Sequence, residues 1–289
     1  MTAVVDIPVR GRFDLAQSIR FGFGQRDADD GSVMRLAFCL DGYRTQVGAA
    51  VTQPAPDVLR CEVQGDASPE AVAAQVARVL SVDVDATGYD ELGGRDPLVG
   101  AAQARRPGLR PPLFYSAYEA LLWSVLSARR PQRQMAVVRT GLARAHGRVF
   151  DVAGVELAAV PLPEDLLAVT EFPGIVGPKL PRLHGIARAA LEGALDTAML
   201  RAQDPDVTAA ELRRLDGIGP FYSELVTVRA LGHTDALPVN EPMVRAAVAR
   251  TMGEDEPLSP ERLAEVAEAW RPWRTWVGVA MRAGDTARG

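Results

Sequence analysis

The chain has 289 residues, 47% of them apolar and 24% charged, the balance of a soluble globular protein with one large or two ordinary domains. This composition excludes a disordered or collagen-like chain, and no run approaches the ~18 apolar residues of a membrane span. The formal net charge of −5 argues against holding a polyanion by bulk attraction. Met1 to Arg12 lacks the basic-then-apolar order of a signal peptide, so a cytoplasmic location is expected.

In chain order, residues 1 to about 90 predict mixed strand and helix. Val33–Leu40, Arg44–Val47 and Val58–Val63 are strand-like runs separated by Asp41–Gly42 and Pro54–Ala55–Pro56. Cys39 and Cys61 fall in these runs; two cysteines without metal-ligand spacing read as buried thiols. Ser68–Pro69–Glu70 opens a helix with Ser at the N-cap and Pro at N1, and Val72, Val76, Val79 and Leu80 on one face. Residues 105–112, Arg-Arg-Pro-Gly-Leu-Arg-Pro-Pro, form a basic connector, which gives an α+β domain over 1–110 and a second domain over 111–289. Beyond Pro112 the apolar period becomes helical: 115–128, 132–146, 178–192, 208–214, 220–231, 241–252, 259–270 and 272–283. The second domain is expected to be all-α.

Charge is unevenly spread. Nine arginines and a single acid, Glu119, lie between Arg105 and Arg148, whereas Lys179 is the only lysine in the chain. The sharpest local signal is Leu215–Asp216–Gly217–Ile218–Gly219–Pro220, a turn between two helices whose glycines permit close backbone approach and whose following helix start would hold a phosphate. Taken alone the Gly-Ile-Gly signal is weak, and a plain helix–turn–helix connector is the better reading. Some twenty residues later, Asp235–Ala-Leu-Pro-Val-Asn-Glu241–Pro242 delivers a carboxylate to a helix start.

With these features in this order, the chain resembles the helix-hairpin-helix DNA glycosylases, and within them the DNA-3-methyladenine glycosylase II group. Phe13–Asp14–Leu15 with Phe21 resembles the family's opening, Arg106–Arg110 its connector, Tyr118–Ser127 the helix before its DNA-intercalating loop, and Lys179 with Leu183–Ala187 and Gly193 its middle helix. Trp270–Arg-Pro-Trp-Arg274 is similar to its C-terminal signature. The resemblance implies an N-terminal antiparallel-sheet domain packed on a helical one, the hairpin gripping double-stranded DNA that carries a damaged base, and the chain acting as a monomer away from membranes. It implies no cofactor beyond a monovalent cation on main-chain carbonyls of the hairpin. A base inside a duplex is out of reach, so extrusion into a cleft and a side chain filling the gap are required. Arg129 falls at the wedge and Arg130 beside it, within reach of phosphate; the alternative is two solvated loop arginines.

Glu241 stands where the family carries its catalytic aspartate, to stabilise positive charge on the deoxyribose and orient water. The rival reading is a carboxylate that only decorates a helix N-terminus. Phe221 stands where relatives with lyase chemistry carry a Schiff-base lysine, so an imine step has no candidate there and any cleavage is monofunctional hydrolysis. Leu225 and Arg282 replace aromatics that would cage a cationic base, with Phe21, Phe221 and Tyr222 as partial substitutes. Gly217 and Gly219 are the expected phosphate contacts, and Trp270, Trp273 and Trp276 are expected to pack. The three histidines are too scattered for a metal site. Two functions stay open: a base-excision glycosylase for damaged, alkylated bases, or a lesion-binding protein of the same fold that has lost the chemistry.

Overall fold

A computed structural model describes residues 3–21 and 31–285. Its first layer is an antiparallel sheet of β1 (Ala3–Pro8), β2 (Met34–Cys39), β3 (Gln46–Ala55) and β4 (Val58–Gln64), in the order β1-β4-β3-β2. Ala3 pairs with Val63, Cys61 with Val51 and Val51 with Met34, so alternate side chains of β4, Leu59, Cys61 and Val63, enter one core. α1 (Leu15–Phe21) and α2 (Pro69–Val79) belong to this layer, and α2 starts as expected, with Ser68 Oγ accepting from Ala71 N at 3.4 Å. Both cysteines are free and buried, and burial pushes the Cys61 thiol up to about 12.

The rest of the chain is largely helical: α3 (Thr87–Arg95), α4 (Pro97–Arg105), α5 (Ala117–Ser127), α6 (Gln132–His146), α7 (Pro163–Ala168), α8 (Lys179–Leu191), α9 (Thr197–Ala202), α10 (Pro205–Leu212), α11 (Pro220–Arg229), α12 (Pro242–Met252), α13 (Pro260–Ala267) and α14 (Arg274–Asp285). It is not purely so. A hairpin of β5 (Val149–Val152) and β6 (Val155–Ala158) turns at Ala153–Gly154 and lays Phe150 and Val152 on Ala37 and Ala50 of the sheet. A Cβ on Gly48 would lie 3.0 Å from Phe150, so glycine there lets the hairpin close on the sheet.

α5 is the axis of the helical part, buried around its circumference and packed on α6, α8 and α11. A separate core joins Tyr89, Leu92, Val99 and Ala102 of α3 and α4 to α12–α14, with Trp270, Trp273 and Trp276 in its centre. The three tryptophans therefore pack, as expected, and Trp270 Nε1 also donates to Asp96 Oδ2 at 3.0 Å.

The basic 105–112 connector carries a buried charge. Arg110 is 1% exposed, and its guanidinium donates to the carbonyls of Arg10, Arg12, Ser81 and Val84, stitching three loops together. Burial lowers its pKa to about 10. Arg139 is likewise buried, on Glu119, while Arg148 pairs with Asp66. The cation read along 105–148 thus reduces at the α5–α6 loop to exposed Arg129, Arg130 and Arg133.

Candidate active site

Glu241 is the N-cap of α12. Its Oε1 accepts from Met243 N at 3.2 Å and Oε2 from Val244 N at 2.8 Å, while Pro242 occupies the first helical position, where no donor is missed. The side chain is 9% exposed, held rigidly at the positive end of a helix. It lines a cleft with Phe221, Glu224, Leu225, Val228, Arg229, Pro238, Val244, Val279 and Arg282.

The structure thus gathers Phe221, Leu225, Arg282 and Glu241, four of the residues chosen from sequence, around one cleft. Phe221, Leu225 and Val228 are spaced i, i+4, i+7 on α11 and share a face. Tyr222 is one position round the helix and packs instead against the core of α5 and α8, its ring edge-on to Phe221 at 5.1 Å. It is not a pocket residue, and helical spacing alone predicts as much. Phe21 does not line the cleft either; it lies under Arg229, ring centroid 5.1 Å from the guanidinium, and Arg229 forms part of the cleft wall.

Two wall residues, Glu224 and Arg229, are not among the candidates read from sequence. Glu224 supplies a second carboxylate and accepts from Asn240 Nδ2 at 2.6 Å; its i+3 spacing from Phe221 was the available clue. Arg229, buried, donates to Pro112 O at 2.5 Å. Asp235, in contrast, is tied to Arg271 and Arg274 at 2.5 and 2.7 Å and serves the loop ahead of Glu241.

As it stands the cleft has a volume of about 30 Å³, room for a water or two and not for a base. Phe221, 41% exposed, is the most open side chain of a wall that also includes buried Val228, Arg229, Val244 and Val279, so admitting a base requires the cleft to widen.

The hairpin between α10 and α11 is built as its glycines suggest. Leu215 N donates to Leu212 O and Ile218 N to Leu215 O, both at 3.1 Å, Gly217 adopts φ +85°, and buried Ile218 anchors the turn. Gly219 is the N-cap of α11, and space around its missing Cβ is open. Among the described residues no backbone N–H donates to the carbonyls of Asp216, Gly217 or Ile218, and no cluster of acidic, histidine or cysteine side chains suits a metal ion. At the end of α5, Arg129 takes a left-handed backbone, φ +56°, and Arg129 and Arg130 are exposed.

No family model matches the chain. Among curated proteins it is 28% identical, over 79% of its length, to the probable bifunctional transcriptional activator/DNA repair enzyme AlkA of Mycobacterium tuberculosis, and spans 46% of that relative, about half its length. It is 22% identical to DNA-3-methyladenine glycosylase of Bacillus subtilis, the match covering 68% of this chain and 66% of that one. Among solved structures, the 3-methyladenine DNA-glycosylase of Archaeoglobus fulgidus superposes with a TM-score of 0.76 at 19% identity, covering 98% of both chains. The chain thus shares the fold of that solved glycosylase, and its two sequence matches are to proteins named as a DNA repair enzyme AlkA and a DNA-3-methyladenine glycosylase.

Proposed function

We propose that the protein is a monofunctional DNA glycosylase of base excision repair, acting as a monomer on damaged, alkylated bases flipped out of duplex DNA. The observation that carries this reading is the position of Glu241: a carboxylate fixed by two backbone N–H groups at a helix N-terminus and facing a cleft that Phe221, Leu225 and Arg282 share.

Hydrolysis of an N-glycosidic bond builds positive charge on the sugar as the base departs. Glu241 stabilises that charge and orients a water for attack on the sugar carbon; the electrons of the broken bond leave with the base. Glu241 needs no reorganisation for this, since its oxygens are already held. With no lysine on α11, an imine route has no nucleophile there. The hairpin carbonyls, which accept from no backbone N–H among the described residues, would suit a monovalent cation, which when bound adds positive charge beside a DNA phosphate.

Base release from alkylated duplex, read by mass spectrometry, tests the reading. Glu241→Gln should reduce release by at least ~100-fold, the scale of losing one preorganised electrostatic group, with much less change in binding to an abasic analogue. Glu241→Asp keeps both charge and cap, and should stay within about tenfold of wild type, because Asp is itself a favoured N-cap. If wild type and both variants release nothing yet bind abasic duplex, the lesion-binding alternative is the correct one.

A further inference from the structure

Lys179, the chain's only lysine, spends its ammonium on the backbone. Its Nζ donates to the carbonyls of Val125 at 2.5 Å, Leu126 at 2.7 Å and Ala128 at 3.2 Å. Those carbonyls end α5, where a helix has no internal donors left to offer, and a lysine has three donors, so the match is complete. The last of them belongs to the peptide that enters Arg129, the residue with φ +56°. One turn on, Arg182 donates Nε to Asp216 Oδ2 at 3.1 Å, and its Cδ lies 2.7 Å from where a Cβ on Gly217 would sit. Residues three apart share a helix face. The first turn of α8 therefore holds the α5–α6 loop with one side chain and the hairpin with the next.

We propose that this turn is a bracket setting the distance between the wedge loop and the phosphate-gripping hairpin, with Lys179 a positioning residue for Arg129. The proposal rests on the glycosylase reading only for what the two loops do. A wedge must enter the duplex at a fixed offset from the gripped phosphates, and a loop free to slide loses that register. Desolvation first, then the neighbouring cations Arg130 and Arg182, lower the pKa of Lys179, and against them stand the three carbonyls to which its ammonium donates.

Lys179→Met keeps length and loses every donor. Without DNA present, trypsin should cut the Arg129–Arg130 bond in this variant about tenfold faster than in wild type, the scale of losing a charge-assisted hydrogen bond. Preference for an abasic-analogue duplex over undamaged duplex should fall by a similar factor, while affinity for undamaged duplex holds. Lys179→Met and Arg182→Met together should lose little more preference than either alone, because each disables the same spacing. Wild-type cutting and preference in Lys179→Met would overturn the bracket; so would equal loss on both duplexes, or strictly additive losses. Should Lys179→Met fail to fold, Lys179→Gln, which retains a single amide group, carries the same comparison. If the wild type binds no DNA, the proposed function fails, and the proteolysis still decides whether Lys179 holds the loop.

Discussion

His233 is half-buried in the loop after α11, and its enclosed Nε2 has no hydrogen-bond partner among the described residues. Burial first, and then Arg201 nearby, hold its pKa below the ordinary 6.5. The unfolded chain therefore takes up the proton more readily, and stability from the neutral ring is present above pH 6.5 and lost as pH falls below it. Denaturant midpoints at about pH 7.5 and about pH 5.5 should show a larger acid loss in wild type than in His233→Gln. A parallel loss in both would assign the acid sensitivity elsewhere. Single residues were the hardest to read from sequence. Arg110 lies in a Pro-rich basic run that reads as a connector, and only the arrival of four distant carbonyls makes it a buried staple. Lys179 looked like a member of a helix pattern; its function depends on carbonyls more than fifty residues away.

The hairpin is an element whose chemistry follows from local sequence. Gly217 requires the left-handed region, and Gly219 caps α11 from an extended conformation, φ −94°, that other residues also adopt. Aspartate is a favoured N-cap, and a Cβ at 219 meets nothing within 4 Å, so Gly219→Asp should leave thermal stability unchanged or slightly raised. The same substitution puts a negative charge where phosphate is to bind, and should weaken duplex affinity by about tenfold or more. Wild-type affinity itself should fall steeply between about 50 and about 200 mM salt. A flat salt response, or a Gly219→Asp variant that binds normally, would remove the hairpin from the DNA contact surface. Helices with long apolar periods, such as α5, α6, α8 and α12, and those opened by Ser-Pro, were legible in advance. β1, β5, β6 and the pair α3–α4 were not. The strands of the β5–β6 hairpin are four residues each and gain their stability from Ala37, Ala50 and Gly48, which the local sequence does not announce. α3 and α4 contain glycine pairs or short apolar runs and are fixed by tryptophans almost two hundred residues on.

At the scale of the molecule, the cleft is a product of both layers. Phe21, from the sheet layer, supports Arg229, from the helical one, and Arg229 walls the cleft that contains Glu241. The layers are joined through Glu119 on α5, whose Oε1 accepts from Cys39 N at 3.1 Å and whose Oε2 accepts from Arg139 Nη2 at 2.7 Å. Glu119 is fully buried and Arg139 nearly so, which places a charged pair where water cannot screen it. Removing one member leaves the other charge uncompensated, so Arg139→Met should cost about 3–5 kcal/mol in denaturant unfolding. The double variant Glu119→Leu/Arg139→Met removes both charges, leaving mainly the Cys39 N–H to find a new acceptor at about 1–3 kcal/mol. It should therefore be more stable than Arg139→Met alone. If the double is the less stable of the two, the pair contributes net attraction across the layers beyond its own desolvation, and the joint is held by charge instead of by the apolar cores on either side.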